Sequence, residues 1–482
     1  MTLARLPWRR PRDRGGDRDR DLARTPKFGP LLLHGLGAAI LAVAGAVGLY
    51  LFLAWLLGVP NHLPGATGGQ PNLPIADQQK LLADLVKIAL GLAAGIGAAF
   101  ALVVGYRRAR TEEASSHRDD RRLFSSRYQD AADLIGHDKA AVRLAGIYAM
   151  ARLADDWTEQ RQQCIDVLCA YLRLPYEPDP DTGDLGEREV RYSVIGLIRS
   201  HLRPDANPTW KGRNFDFNGA VFDGGDFRRA EFAGDTVDFR GAKFTGGGVD
   251  FRGAKFTGGI VNFGHAEFSG GTVDFRDAHF AGGIVDFGLA AFSGGTVDFS
   301  GVVSSGRVSF RRAVFSSGRV KFVRADFSRG EVYFDGVVFS GGAINFGGSV
   351  FSGGEVDFSG SEFSGSGVDF SGSEFSGSRV AFSQSVFSDG TVHFTEAVFS
   401  GGRVDFDRAV FSGGTVDFGL AEFADGTVSF MNARFSGGEV DLSTADLYVG
   451  GSAPQGLPEA PIAGLKLAGW MKQTSPDERP PH

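Results

Sequence analysis

Histidine, cysteine and aspartate are the side chains of this 482-residue chain that could act in catalysis or bind a metal. The histidines His137, His201, His265, His279 and His393 are scattered, and no Ser/His/Asp spacing, H-E-x-x-H motif or phosphate-binding loop accompanies them. We therefore expect solvated histidines rather than general bases. The sequence predicts no catalytic residue, no cofactor and no metal ligand, and hence a protein that is not an enzyme.

Two further patterns could hold a metal or a disulfide. Cys164 and Cys169 lie five residues apart in a predicted helix, where buried packing is the expectation rather than a disulfide or a metal site. The segment G-G-T-V-D-F (270–275) shares part of the G-G-x-G-x-D pattern of calcium-binding β-rolls. The period here differs and a valine replaces the third glycine, so no calcium site is predicted.

A twelve-residue repeat predicts the secondary structure of the segment that carries many of these residues. Phenylalanine recurs at alternating intervals of five and seven residues from Phe239 to Phe435, as in V-D-F-S-G-S-E-F-S-G-S-G (356–367). Valine or a small residue lies two places before nearly every phenylalanine, with Ile344 before Phe346 as an exception, and most residues between are polar or small. This alternation predicts short strands with one apolar side, and the Gly/Ser steps predict turns between them.

Such strands are best satisfied in a solenoid, where each coil bonds to the coils above and below. A helix would spread the apolar residues around its circumference, and each glycine would cost about 1 kcal/mol. Packing density favours a coil of two twelves, about 24 residues, although closure on a single twelve stays open. Phe299 and Phe310 are eleven residues apart, so we expect Val303 to occupy a phenylalanine place, with a local bulge.

The A-x-F-S-G and V-D-F-x-G units resemble the pentapeptide-repeat family over roughly Phe215 to Leu447. The resemblance implies a right-handed quadrilateral β-helix whose phenylalanines and small residues point inward. The extra dipeptide in each twelve departs from the plain family pattern. Residues 127–217 are similar to the helical stretch that precedes the repeats in membrane-anchored family members of actinomycete bacteria.

An acidic column is predicted on the rod because aspartate recurs directly before the first phenylalanine of the repeats. Its representative members are Asp357, Asp369, Asp405 and Asp417. The pentapeptide-repeat resemblance implies one function for such a column, since some members mimic DNA and bind type II topoisomerases. The alternative is that this place faces water in every coil and aspartate is a natural choice there.

A second predicted column is apolar and precedes the second phenylalanine of the repeats. If a coil takes two repeats, Val314, Val338, Val386 and Val410 stack on one face, with Glu362 interrupting them. An exposed valine ladder can be a docking surface for a protein partner. Ordinary β propensity at a half-covered position is the simpler explanation of the same column.

Two uncharged apolar stretches, residues 31–59 and 88–106, are long enough to cross a bilayer, which needs roughly 20 residues. A cleaved signal peptide is the alternative for the first, but its apolar region is too long. Arginine-rich flanks before the first span and after the second place both termini in the cytoplasm of a bacterial cell, with the chain in the inner membrane. Small residues in the spans are compatible with a homodimer.

The predicted organisation has seven parts. They are a basic cytoplasmic segment (1–30), a first transmembrane helix (31–59), an extracytoplasmic loop (60–86), a second transmembrane helix (87–106), a cytoplasmic helical domain (107–204), the β-helix (205–450) and a C-terminal cap with a disordered tail (451–482).

The predicted function is a non-enzymatic, membrane-anchored scaffold for an unknown protein partner. An acidic DNA-mimic rod that inhibits a type II topoisomerase is the alternative. Besides that protein partner, the predicted contacts are with the lipid bilayer, and direct nucleic-acid binding is not expected.

Overall fold

The structure, a computed structural model, describes residues 74–178, 185–447, 454–458 and 462–472, apart from positions 235, 353, 377–378 and 425, and scattered residues between Ile40 and Trp55. The chain divides into two compact units, Met1–Arg121 and Arg122–His482.

The first unit contains one helical segment long and apolar enough to cross a membrane among its described residues, Val86–Arg108. This segment lies within helix α1, Ile75–Ile135, which continues without a break past the predicted span end at residue 106. Good helix formers such as Arg, Glu and Ala follow the apolar stretch, so nothing local ends the helix there. The predicted first span, 31–59, lies mostly outside the described residues, which include a shorter apolar helix, Val43–Phe52.

The second unit begins with the end of α1 and three further helices: α2 (Ala140–Asp156), α3 (Arg161–Arg173) and α4 (Leu185–Leu202). Their apolar stripes meet in a common core that includes Met150, Leu168 and Ile198, all fully buried. Part of the linker between α3 and α4, and the tail after residue 472, lie outside the described residues.

The rest of the second unit is a parallel β-solenoid, referred to below as the rod, of about ten coils between residues 215 and 467. Each coil contributes four short strands, one to each of four faces, and each strand pairs in parallel with its equivalent two repeats later, as Val237 does with Val261. The predicted coil of two twelves is therefore confirmed. At the usual strand spacing of about 4.8 Å, ten coils make a rod of roughly 45 Å.

The faces are numbered in chain order. Face 1 consists of the strands Phe215–Asp216, Thr236–Asp238, Ile260–Asn262, Ile284–Asp286, Arg307–Ser309, Glu331–Tyr333, Glu355–Asp357, Arg379–Ala381, Arg403–Asp405 and Thr427–Ser429. Face 2 consists of Val221–Phe222, Lys243–Phe244, Glu267–Phe268, Ala291–Phe292, Val314–Phe315, Val338–Phe339, Val410–Phe411 and Arg434–Phe435. The strands Glu362–Asp369 and Val386–His393 run through both face 2 and face 3.

Face 3 also contains Gly225–Asp226, Gly248–Asp250, Thr272–Asp274, Thr296–Asp298, Arg319–Lys321, Ala343–Asn345, Thr415–Asp417, Glu439–Leu442 and Leu465–Leu467. Face 4 consists of Glu231–Phe232, Lys255–Phe256, His279–Phe280, Val303–Ser304, Val350–Ser352, Glu374–Ser376, Val398–Ser400, Glu422–Phe423 and Asp446–Leu447, with an isolated bridge at Asp326. A 3-10 helix, Gly469–Lys472, follows the last strand.

The rod core is a set of phenylalanine ladders. Rings one coil apart stack nearly parallel, with centroids 4.6 Å apart for Phe239 and Phe263 and 4.7 Å for Phe263 and Phe287. Four buried serines replace the usual small inward residue, and each hydroxyl donates to the carbonyl oxygen of a phenylalanine 27 residues earlier; they are Ser349, Ser361, Ser373 and Ser385. The polar groups in this core are thus satisfied by the backbone.

The prediction for the eleven-residue interval was wrong. Ser304, not Val303, lies opposite Phe280 and points inward, and Val303 points outward. On face 4, Phe280 pairs with Ser304, which is the ordinary separation of two full repeats. On face 1, Val285 pairs with Val308, a separation one residue shorter. The missing residue therefore falls in the turn between Ser304 and Val308. A turn absorbs a deletion more cheaply than a strand, since a one-residue slip in a strand would turn its inward side chains outward.

Candidate functional site

The four valines predicted as an interaction surface lie together on face 2 and are called the valine strip (Val314, Val338, Val386, Val410). The strand register stacks Val314 on Val338, and Val386 on Val410, with Glu362 between the two pairs. Val314 is 38% exposed and the other three are half-buried. A second column, of serines from Ser316 to Ser412, follows the inward phenylalanines on the same face. Between Val314 and Val410, the outward strand residues of this face are therefore four valines and Glu362, next to the column of serines.

The four aspartates predicted as one acidic column belong to two faces. Asp357 and Asp405 lie on face 1 with Ala381 between them. Asp369 and Asp417 lie on face 3, where His393 separates them. The separation arises because the two repeats of a coil occupy opposite sides of it, so aspartates of successive repeats never stack.

Each of these aspartates stabilises the turn that follows its strand. The Oδ1 atom of each accepts a hydrogen bond from the backbone N–H two residues later, at 2.8 Å for Asp357 and Asp417 and 2.9 Å for Asp369 and Asp405. Short polar side chains favour this local turn because they satisfy a backbone donor that the ladder leaves free. Asp405 is almost fully buried and its Oδ2 lies 3.2 Å from the Arg403 guanidinium. Aspartate at this place is therefore explained by folding alone.

Arginines compensate the acidic charges on face 3 of the first coils. Arg252 binds Asp250 with both Nε and Nη2, and its Nε lies 3.6 Å from Asp274 of the next coil. Arg276 binds Asp274 in the same way. Burial alone would raise the pKa of Asp274, but the hydrogen bonds from Arg276 outweigh it and lower the pKa. This part of the rod is a ladder of alternating charges rather than an acidic surface.

The helical segment covers the first coil of the rod. Arg191 of α4 is buried, and its Nη2 atom donates to the carbonyl oxygens of Leu172 (2.5 Å) and Val221 (3.1 Å). The guanidinium also lies over the Tyr176 ring, 4.4 Å from its centroid. Arg191 thus satisfies a strand carbonyl that would otherwise face an open solenoid end.

Ser200, His201 and Asp155 are the residue types of a hydrolase triad, but the two ring nitrogens have exchanged partners. Ser200 Oγ lies 3.2 Å from His201 Nδ1, and His201 Nε2 lies 3.1 Å from Asp155 Oδ2. The Leu197 carbonyl, which accepts only, lies 2.7 Å from Nδ1 and 2.8 Å from Ser200 Oγ. His201 Nδ1 therefore donates to that carbonyl and cannot accept the serine proton. Asp155 also accepts from Trp210 Nε1 at 2.9 Å, so the cluster holds the helices to the rod.

The two cysteines are buried in α3. Burial raises the pKa of Cys164 to about 11 and that of Cys169 to about 12, so both thiols stay protonated and unreactive at neutral pH. Within the described part of the chain, no three His, Cys, Asp or Glu side chains are grouped so as to hold a metal ion.

Sequence reasoning missed a groove of about 660 Å³ on face 1, whose lining includes Gly264, Gly288, Arg311 and Tyr333. The signal was present in the sequence as two glycines at the same repeat place in consecutive coils. That signal becomes readable only when the chain is aligned on pairs of repeats rather than on single repeats, because the intervening repeat belongs to face 3.

Residues 217–264 match the family model described as pentapeptide repeats (9 copies). The match covers the first coils of the rod, and the same strand pattern continues beyond it to residue 447. No curated protein shows significant similarity to the chain. The chain thus contains pentapeptide repeats folded as a parallel β-solenoid.

Proposed function

We propose that this protein is a non-enzymatic, membrane-anchored scaffold whose rod binds a partner protein at the cytoplasmic face of a bacterial inner membrane. The observation that carries the proposal is the valine strip, which offers uncharged, partly exposed side chains on a flat and regular face. Solenoids with such extended faces commonly serve as binding surfaces. Folding does not require valine in this column, because the earlier coils carry Lys243 and Glu267 at the equivalent positions. A docking role would explain why valine is present in the later coils.

Membrane anchoring is supported by the apolar segment Val86–Arg108 and by the basic residues Arg107, Arg108 and Arg110 at its end. The proposal keeps two spans, cytoplasmic termini and homodimerisation through the spans, as in the membrane-anchored actinomycete proteins that the helical stretch resembles.

A pair of matched double variants tests the scaffold. V338K/V386K places two lysines in the valine strip on either side of Glu362. V350K/V398K is the control, because it places two lysines on either side of Glu374 on face 4. Each new lysine gains a glutamate neighbour, so both variants should fold equally well.

The measurement is crosslinking in native membranes followed by mass spectrometry, with a chain ending near Asp205 as the reference without the rod. We expect crosslinked proteins that need the rod, that persist in the face-4 control and that are lost in V338K/V386K. Crosslinks that survive removal of the rod would overturn the scaffold proposal. Crosslinks that need the rod but persist in V338K/V386K would show that the partner does not bind at the valine strip.

The DNA-mimic alternative receives less support. In Asp369 and Asp405, one carboxylate oxygen already accepts a hydrogen bond from a backbone N–H. On face 3, arginines neutralise the negative charges of Asp250 and Asp274. If mimicry were nevertheless the function, the purified rod would block supercoiling by a gyrase. Charge reversal at Asp357, Asp369, Asp405 and Asp417 would then abolish the block.

A further inference from the structure

The groove on face 1 crosses several consecutive coils. Its floor contains Gly264 and Gly288, which follow the inward phenylalanines of two adjacent coils. The same place holds Arg240 in the coil before and Arg311 in the coil after, so an arginine lies at each end of this row of glycines. The groove lining continues one coil past Arg311 to Tyr333 and Asp335. Ile284 and Leu289 add apolar side chains to the lining.

Folding does not require glycine at either floor position. Neither Gly264 nor Gly288 has a positive φ, unlike the corner glycines of the rod. The equivalent places on this face carry arginine, aspartate and methionine at Arg311, Asp335 and Met431. The two glycines therefore act by leaving space, and a side chain at either one would fill the groove.

The floor offers one hydrogen-bond donor and one acceptor. Asn262 and Asp286 point outward from adjacent strands, and each uses Oδ1 to accept from the backbone N–H of the following glycine. On face 3 the equivalent pair bonds internally, with Asn345 Nδ2 donating to Asp369 Oδ2 at 3.0 Å. Among the described contacts no such bond joins Asn262 to Asp286, so Nδ2 and Oδ2 both remain open to a ligand. One donor beside one acceptor complements the C=O and N–H of a polypeptide backbone.

Each end of the row of glycines carries an arginine that already has an acidic partner, and Arg312 adds a further positive charge beside Arg311. Arg311 is held in place by Asp335, which accepts from its Nε at 2.7 Å, and by the Tyr333 ring, whose centroid lies 4.3 Å from the guanidinium. Arg312, exposed beside it, has no side-chain hydrogen bond or ion pair among the described residues. At the other end Arg240 is anchored on Asp238. Guanidinium groups fixed in this way are preorganised to bind carboxylates.

The distance between the ends sets the spacing of the ligand charges. Arg240 and Arg311 are three coils apart, which is about 14 Å at a coil spacing of about 4.8 Å. An extended chain advances about 3.4 Å per residue, so side chains four residues apart lie about 14 Å apart and point to the same side. We propose that the groove binds an extended protein segment with two carboxylate side chains four residues apart.

In this complex the backbone between the carboxylates contacts Asn262 and Asp286. Apolar side chains of the segment lie against Ile284 and Leu289. Both carboxylates lie beside the arginines at the ends of the row of glycines, away from Asp286. The inference deepens the proposed scaffold function by naming the chemistry of a partner, and it concerns a face other than that of the valine strip.

The test measures binding of fluorescein-labelled, end-capped peptides to the full-length protein by fluorescence anisotropy. The probe peptide contains the sequence Asp-Val-Gly-Val-Asp, whose central glycine lets the backbone approach the floor. One control peptide carries asparagine at both aspartate places. A second has the same composition and charge but places the two aspartates two residues apart.

Two variants remove the proposed contacts. G288M fills the groove with the residue type that Met431 already places at an equivalent position, and R312Q removes one cationic group. G347M is the matched control, since Gly347 meets the same surroundings on face 3: an added Cβ would lie 3.0 Å from Asn345 Oδ1, against 2.9 Å from Asp286 Oδ1 at Gly288.

We expect G288M and R312Q each to weaken binding by about tenfold or more, and G347M to leave it unchanged. Both control peptides should bind at least about tenfold more weakly than the probe. Equal binding of the two equally charged peptides, an unaffected G288M variant or no binding of the probe would overturn the inference. Crosslinks that need the rod would in that case still support the scaffold, so the two proposals fail separately.

Discussion

Two buried serines of the rod should respond in opposite ways to the same substitution. Ser304 occupies a phenylalanine place and is 1% exposed, whereas Ser361 occupies the place of a small residue and is fully buried. We predict that S304F stabilises the rod and that S361F destabilises it. Because both variants replace serine with phenylalanine, a difference between them reports the space available at the two kinds of inward position.

The gain at Ser304 follows from its neighbours. Phe280 and Phe327 lie one coil before and one coil after, and the face-4 ladder, with ring centroids 5.5 Å apart on either side, is interrupted between them. Burying a phenylalanine is worth about 1.5–3 kcal/mol, and each stacked pair adds about 0.5–1.5 kcal/mol. Side-chain ordering and the loss of a 3.3 Å hydrogen bond from Ser304 Oγ offset part of this. The expected net gain is about 2 kcal/mol.

The loss at Ser361 has two causes. Its hydroxyl donates to the Phe334 carbonyl oxygen at 2.7 Å and accepts from the Val337 N–H at 3.2 Å, so both groups lose a partner. A phenylalanine also has no room at a place that elsewhere holds alanine, as at Ala397. Overpacking costs about 1–3 kcal/mol, and each of the two lost hydrogen bonds costs about 0.5–1.5 kcal/mol. The Val337 N–H keeps its bond to the Phe334 carbonyl oxygen at 3.2 Å, so the expected loss is about 3 kcal/mol.

Hydrogen exchange read by mass spectrometry is the suitable assay, because coils of a solenoid open locally. In S304F, amides of the coils from Phe280 to Phe327 should exchange about 30-fold more slowly, the factor that corresponds to about 2 kcal/mol. S304A serves as the control that removes the hydroxyl without filling the place. Faster exchange in S304F than in S304A would refute the reasoning, since it would mean that the neighbouring side chains already occupy the space.

Three further outcomes are expected. D405A should lower the free energy of unfolding in urea by about 1–2 kcal/mol, because the Asp407 N–H loses its acceptor. D405N keeps an acceptor oxygen and should lower it less. Equal losses in the two variants would contradict the role of Asp405 in the turn. L420G should raise stability by about 1 kcal/mol because Leu420 is exposed and has a φ of 55°, a conformation that glycine adopts without strain; a lower unfolding midpoint would contradict this. The pKa values of Cys164 and Cys169 are raised to about 11 and about 12, so the folded chain keeps thiol protons that the unfolded chain releases above pH 9.0. The free energy of unfolding should therefore fall as pH rises from 9 towards 12, and it should fall less steeply in C164A/C169A.

The alternation of large and small residues determines which side chains form the core, and this could be predicted from the sequence. Val237 and Phe239 point inward for the same local reason as Val404 and Phe406, because a strand sends alternate residues to opposite sides. The apolar segment within α1 could likewise be predicted from composition. Such features depend only on residues close together in the chain.

Contacts between coils depend on the closure length, which no short stretch of sequence states. The structure places Asp357 over Ala381 and not beside Asp369, because the coil closes after two repeats and successive repeats face opposite sides. For the same reason the sequence alone did not reveal the groove around Gly264 and Gly288, whose positions become neighbours only through that closure. Local alternation of residue types is enough to predict which side chains point inward. Which outward residues meet depends on the closed coil, since backbone pairing across coils, and not the local pattern, brings them together.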